Sequence, residues 1–180
     1  VTAPRIGPGG RQDVGTFGWL FSQAAGRVTG TGPPNLFLTL GRHRPLFRGW
    51  LRFARRLMPG GVLPRRETEL VILRVAHLCA CRYEHDHHLR LARRAGVTDA
   101  EIERVSGDDI GVGWSAREHA VLVAVDGLVR HRDLDDEAWT ALRAHLDERE
   151  CIELCMLVGH YVMLATTITT LRIQPDRPPG

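Results

Sequence analysis

The sequence predicts an all-α, single-domain bundle of about seven or eight helices. Three observations carry that expectation. Apolar residues recur at helical spacing in one segment after another, no segment shows strand alternation or a hairpin turn signal, and two Ser/Thr-x-x-Glu capping boxes stand just before apolar runs. With 43% hydrophobic and 25% charged residues, the 180 residues are enough for one substantial core.

The elements follow in order. Residues 1–35 are rich in Gly and Pro and read as an arm that packs on something, with a short helix around Phe17 to Ala25 and a break from Thr29 to Pro34. Asn35 to Gly41 offers one or two helical turns. From Pro45 to Met58, Leu46, Phe47, Trp50, Leu51, Phe53, Ala54 and Leu57 share one broad face, with Arg48, Arg52, Arg55 and Arg56 opposite. Pro59, Gly60 and Gly61 end that helix, and Pro64 can occupy the first turn of the next. Thr98 and Glu101 cap a short helix to about Val105, after a stop at Gly96, and Ser115 and Glu118 open another to about Arg130. Asp135 and Asp136 suit a helix start, with Trp139, Leu142 and Leu146 as its apolar stripe. Arg149 to Leu171 reads as a long apolar helix in which Met156 and Met163 are expected to be core filler, and Cys151 and Cys155 small buried residues. The all-α domain is thus expected over 36–173, with 174–180 as a tail.

Composition narrows the function. There is no lysine, so all 24 basic residues are arginine, which removes Schiff-base chemistry and the lysine of a phosphate-binding loop. A net charge of +3 with no long basic run argues against nucleic acid. The cysteines, as C-x-C at 79 and 81 and four apart at 151 and 155, do not form a secreted disulfide scaffold. A cytoplasmic protein with reduced thiols and no membrane partner is expected, because neither a signal-peptide core nor a run of about 18 apolar residues stands out.

The chemistry is expected between Glu69 and His88. Its first half is an apolar helix with Leu70, Val71, Ile72, Leu73, Val75 and Ala76; its second half is a knot of Cys, Tyr, Glu and His that is costly to bury unless its members pair. On a helix starting near Cys81, Cys81, Glu84, His85 and His88 fall at i, i+3, i+4 and i+7 and share a face. A break at Ala80 would place Cys81 in the first turn, where the helix dipole would lower its thiol pKa. Glu69 and Glu153 each open a Glu-Leu run that reaches a histidine, His77 and His160, a weak echo that would suit a shared layer. Metal ligation by Cys81, His85 and His88 is a geometric alternative, as is half of a di-iron motif at Glu84 and His87.

The run E-L-V-I-L-R-V-A, a cysteine twelve residues after its Glu, and Y-E-H-D-H-H-x-x-x-A-x-x-A-G resemble the signature of the carboxymuconolactone decarboxylase family, which includes the alkylhydroperoxidase D branch. The resemblance implies an alkylhydroperoxidase D-like helical fold that assembles into homo-oligomers, trimers or hexamers. It places the relay glutamate of the peroxidase branch on Glu69, its first cysteine on Cys81 and its histidine on His88, while Glu84 stands where that branch has a second cysteine. It therefore points away from a dithiol cycle and towards a lyase-type enzyme that needs no cofactor or metal and performs acid–base chemistry on a small carboxylated or lactone-type molecule. Decarboxylation, isomerisation and dehydration all fit that description. In this reading Glu69, Cys81, Glu84 and His88 are catalytic, and Tyr83, His85, Arg74 and Arg82 bind substrate. A thiol peroxidase using Cys81, or a metal-binding or non-catalytic oligomeric helical protein, remains the alternative.

Overall fold

In the computed structural model, residues 3–176 are described, and among them every regular element is an α-helix. The order is α1 (Arg11–Thr29), α2 (Asn35–Leu40), α3 (Arg44–Leu57), α4 (Arg65–Leu78), α5 (Arg82–Arg94), α6 (Asp99–Val105), α7 (Ala116–Arg130), α8 (Asp136–Arg143) and α9 (Glu148–Leu171). The described residues thus hold nine helices, close to the expected seven or eight. The chain divides into two compact units, one of residues 1–54 and 167–180, the other of residues 55–166.

The first unit is built on aromatic packing. Phe21, Phe37, Phe47 and Trp50 form a chain of ring contacts with centroids 5.4 to 6.1 Å apart. Such rings bury large areas and carry much of a small core. α1 is longer than the expected Phe17–Ala25 because it runs through a kink at Gly15, whose φ of 73° only glycine adopts without strain. The C-terminal residues belong to this unit too: Arg5 donates from its backbone N–H to the Leu171 carbonyl, and the Asn35 N–H donates to Asp176.

The second unit is organised around α4, whose residues from Glu67 to Ala76 are all buried. A helix apolar around its whole circumference must be surrounded, and α5, α6 and α7 pack on it. Leu70 and Leu73 join Ala92, Val97, Ile102, Val105, Ile110 and Leu122 in one cluster. Both capping boxes form as the sequence predicts. Thr98 accepts from the N–H of Glu101 and Ser115 from that of Glu118, and each glutamate reaches back to its cap. Arg66, at the start of α4, ties these ends together by donating to Glu101, Glu118 and the Gly96 carbonyl. Pro64 is the cap residue before α4 rather than part of its first turn.

Three expectations about packing are corrected. Met156 and Met163 are not core filler; both lie on an exposed stripe of α9 with Ile152 and Cys155. Trp139 is 43% exposed and does not anchor the core. α9 is also long and apolar enough to cross a membrane by length and composition, although half of its apolar window is buried in the protein. Glu153 and Glu69, which echo each other in sequence, do different work: Glu153 accepts from the N–H groups of Val62 and Leu63 and fixes the turn before α4.

Candidate active site

The helix break expected at Ala80 is present and determines the site. α4 ends at Leu78, Ala80 takes a left-handed φ of 50°, and α5 starts at Arg82 with Cys81 as its cap residue. The Cys81 N–H donates back to the Ala76 carbonyl, closing the turn. This joint lets a face of α5 look onto a residue of α4 that lies twelve positions before Cys81.

Glu69 and His88 meet there. His88 Nδ1 lies 2.7 Å from Glu69 Oε2 in a buried contact. A carboxylate accepts, so the assigned tautomer has Nδ1–H donating and leaves Nε2 free to take a proton. Arg65, one turn before Glu69, places its guanidinium 2.5 Å from the other oxygen, Oε1. The glutamate is thereby held between an arginine that is partly exposed and a histidine that is not.

Cys81 and Glu84 form the second pair, at the cap and third positions of α5. Both Glu84 oxygens are buried without a hydrogen bond of ordinary geometry among the described residues, and the Cys81 thiol lies against the carboxyl. Burial raises the Glu84 pKa to about 8, the thiol offsetting only part of that shift. At neutral pH the group is therefore a carboxylic acid with a proton to give.

The expected lowering of the Cys81 pKa is overturned. Burial and then the neighbouring Glu84 charge push the thiol up to about 12, although the Glu84 N–H favours the thiolate as the helix-start argument supposed. One turn of backbone dipole does not outweigh loss of water beside a carboxylate.

Tyr161, on α9, joins the two pairs and has no signal in the sequence motif. Its ring stands edge-on to His88 at 5.3 Å and to His160 at 5.2 Å. Burial, then the charges of Glu69 and Glu84, hold its hydroxyl well above the ordinary tyrosine range, so it is a permanent hydrogen-bond donor. His160 is kept neutral by burial, with its pKa lowered to about 4. The echo between the Glu69 and Glu153 runs hinted at α9, but nothing local links residue 161 to residue 88.

Of the expected substrate-binding residues, Arg74 and Arg82 are engaged elsewhere. Arg74 is fully buried and pairs bidentately with Asp126, at 2.5 and 2.7 Å, while also donating to the carbonyls of Val105 and Gly107. It is a structural clamp and not a carboxylate holder. Arg82 is 90% exposed on its side chain, beside Asp86. His85 Nε2 lies 3.1 Å from Ser106 Oγ, and Tyr83 is buried with its ring stacked on His87. Among the described residues, no three His, Cys, Asp or Glu side chains converge to hold a metal ion.

The family model for the carboxymuconolactone decarboxylase family matches residues 44–126. No curated protein matches the sequence. Among solved structures, the chain is similar to an uncharacterized peroxidase-related protein with an alkylhydroperoxidase AhpD core from Ralstonia eutropha JMP134, at 17% identity over 97% of this chain and 94% of that one, with a TM-score of 0.82. It is similar to an uncharacterized peroxidase-related protein from Silicibacter sp. TM1040, at 16% identity over 90% and 86%, with a TM-score of 0.81. The debrominase Bmp8 is similar too, at 16% identity over 94% and 91%, with a TM-score of 0.77. At such identities the likeness speaks for the fold. The chain is therefore similar to the carboxymuconolactone decarboxylase family over residues 44–126, and it has the helical fold of AhpD-like proteins.

Proposed function

We propose that this protein is a cofactor-independent acid–base enzyme acting on a small carboxylated or lactone-type substrate through an enolate-like intermediate. The observation that carries the reading is Glu84, a buried carboxylic acid with a pKa of about 8 at the position where a dithiol site would need its second cysteine. In a decarboxylation, the bond to the carboxylate breaks, carbon dioxide leaves, and its electron pair is delocalised onto an adjacent carbonyl oxygen. Tyr161 donates a hydrogen bond to that oxygen, and Glu84 delivers its proton to carbon. In an isomerisation, His88 Nε2 first removes a proton from carbon, with Glu69 holding the ring and stabilising the imidazolium. Arg65 takes over from Arg74 as the cation nearest the pair.

The test is a panel of carboxylated aromatic and lactone compounds, read by absorbance and by carbon dioxide release. Glu84→Gln and His88→Ala are expected to abolish turnover that Cys151→Ala leaves intact; full activity in both site variants would refute the reading.

A second reading, thiol chemistry at Cys81, is supported by the place of that thiol at the cap of α5, where the Glu84 N–H favours the thiolate. The debrominase Bmp8 has been solved with 2,3,4-tribromopyrrole, so halogenated rings belong in the same panel. Loss of activity in Cys81→Ser with retention in His88→Ala would select it.

A further inference from the structure

The arginines of α4 are engaged to different degrees. Arg66 donates to Glu101, Glu118 and the Gly96 carbonyl, and Arg74 to Asp126 and the carbonyls of Val105 and Gly107, so the fold uses the donors of both. Arg65 is bound more loosely. Its side chain is 40% exposed, and its ion-pair partner is the fully buried Glu69, with Nη2 at 2.5 Å from Oε1. That approach lacks the alignment of a hydrogen bond, since Oε1 has no bonded partner of ordinary geometry among the described residues. A guanidinium presents several N–H donors in a fixed fork, so Arg65 has capacity for a second acceptor.

The same guanidinium stands at the edge of the buried centre. Besides burial, the charges that act on the Tyr161 hydroxyl are those of Glu69, Glu84 and Arg65, and Arg65 is the one cation of the three. Glu69 in turn holds His88, at 2.7 Å. Burial keeps Glu84 protonated at neutral pH and His160 uncharged. Among these residues Arg65 is therefore the one permanent cation, and it is the one that reaches solvent.

We propose that Arg65 holds the carboxylate of an organic monoanion at the solvent edge of the site, with the uncharged remainder of the molecule directed to Tyr161, Glu84 and His88. The consequence for chemistry rests on the acid–base reading, whereas the binding does not. The planar fork of an arginine matches a carboxylate with two parallel hydrogen bonds. A second carboxylate on the same molecule would lie in the buried centre beside Glu69 with no permanent cation to meet it, which is costly. The substrate class therefore narrows to monocarboxylates. A guanidinium on a carboxylate also stabilises a charge that decarboxylation would remove, and so favours the ground state over the transition state. The bound carboxylate is the one that stays, and a proton moves from one carbon to another through His88 Nε2 and Glu84.

Binding to the full chain tests this without turnover, by calorimetry and by the NMR signal of the Arg65 Nε–H. Wild type is expected to bind benzoate and the monoamide of terephthalate, to bind terephthalate itself more weakly, and to shift the Arg65 signal with each monoanion. Arg65→Gln should weaken benzoate binding by roughly tenfold or more, the loss of a charge-assisted hydrogen bond. Arg93→Gln, at an exposed arginine paired with Asp99, should bind as wild type does. Absence of benzoate binding, equal affinity in Arg65→Gln, or terephthalate bound as tightly as its monoamide overturns the proposal. Should Arg65→Gln misfold, a stationary Arg65 signal in wild type saturated with benzoate overturns it alone. Carbon dioxide released from a monocarboxylate also overturns it and leaves the acid–base reading intact. Benzoate held at Arg65, with no turnover of any compound in the panel, sustains it and removes that reading.

Discussion

Glu84 shows how one side chain sets the pH behaviour of the whole centre. As the proton donor it must be protonated, so turnover is expected to fall as pH rises through about 8. Replacing it with Gln should lower turnover by roughly 10²- to 10⁴-fold, as measured at saturating substrate. The same group affects stability. Its folded pKa lies above the ordinary 4.5, so its contribution is complete below that value and is lost as pH rises through about 8. His160 works in the opposite sense: its folded pKa of about 4 lies below the ordinary 6.5, so its contribution is present above 6.5 and is lost as pH falls through about 4. Urea midpoints across this range should show wild type weakening on the alkaline side and Glu84→Gln weakening less; parallel curves would contradict the assignment. The spacing of Cys81, Glu84 and His88 was legible because a helix face is a local property. The state of those groups was not, because burial depends on what covers the face. Tyr161 is the clearest case, a residue that reaches the centre from α9 with no motif of its own.

At the level of elements, helix starts were the most legible features. The boxes at Thr98 and Ser115 close with side chains three residues away, so the sequence contains the whole interaction. Ser115→Ala is expected to cost about 1 kcal/mol in chemical unfolding. What the sequence did not contain is the use of a box by a distant element, as Arg66 uses Glu101 and Glu118. That arginine holds the Glu101 carboxyl down at about 2, so this contribution is lost as pH falls from the ordinary carboxylate range through that value. Arg74 was misjudged for the same reason. Within the sequence it is a cation beside the site motif, but in the fold it meets Asp126 on α7. Asp126→Asn leaves the buried guanidinium short of its counter-charge and is expected to cost roughly 3 kcal/mol by thermal or urea unfolding. Ala80 holds a left-handed conformation that disfavours any side chain, so Ala80→Gly should stabilise by up to about 1 kcal/mol.

Across the whole molecule, fold class was legible and surface was not. Helical periodicity states which residues share a face but not whether another element covers it, so Met156, Met163 and Trp139 were assigned to a core that they do not enter. The division into two units was equally hidden, because the first takes its residues from both ends of the chain. The joint at Ala80 has one more consequence, which concerns phase. Each residue advances a helix by about 100°, so one residue added or removed between Leu78 and Arg82 would rotate Glu84 and His88 by that angle away from Glu69 while leaving both helices able to form. The length of this joint is therefore expected to tolerate substitution far better than insertion or deletion.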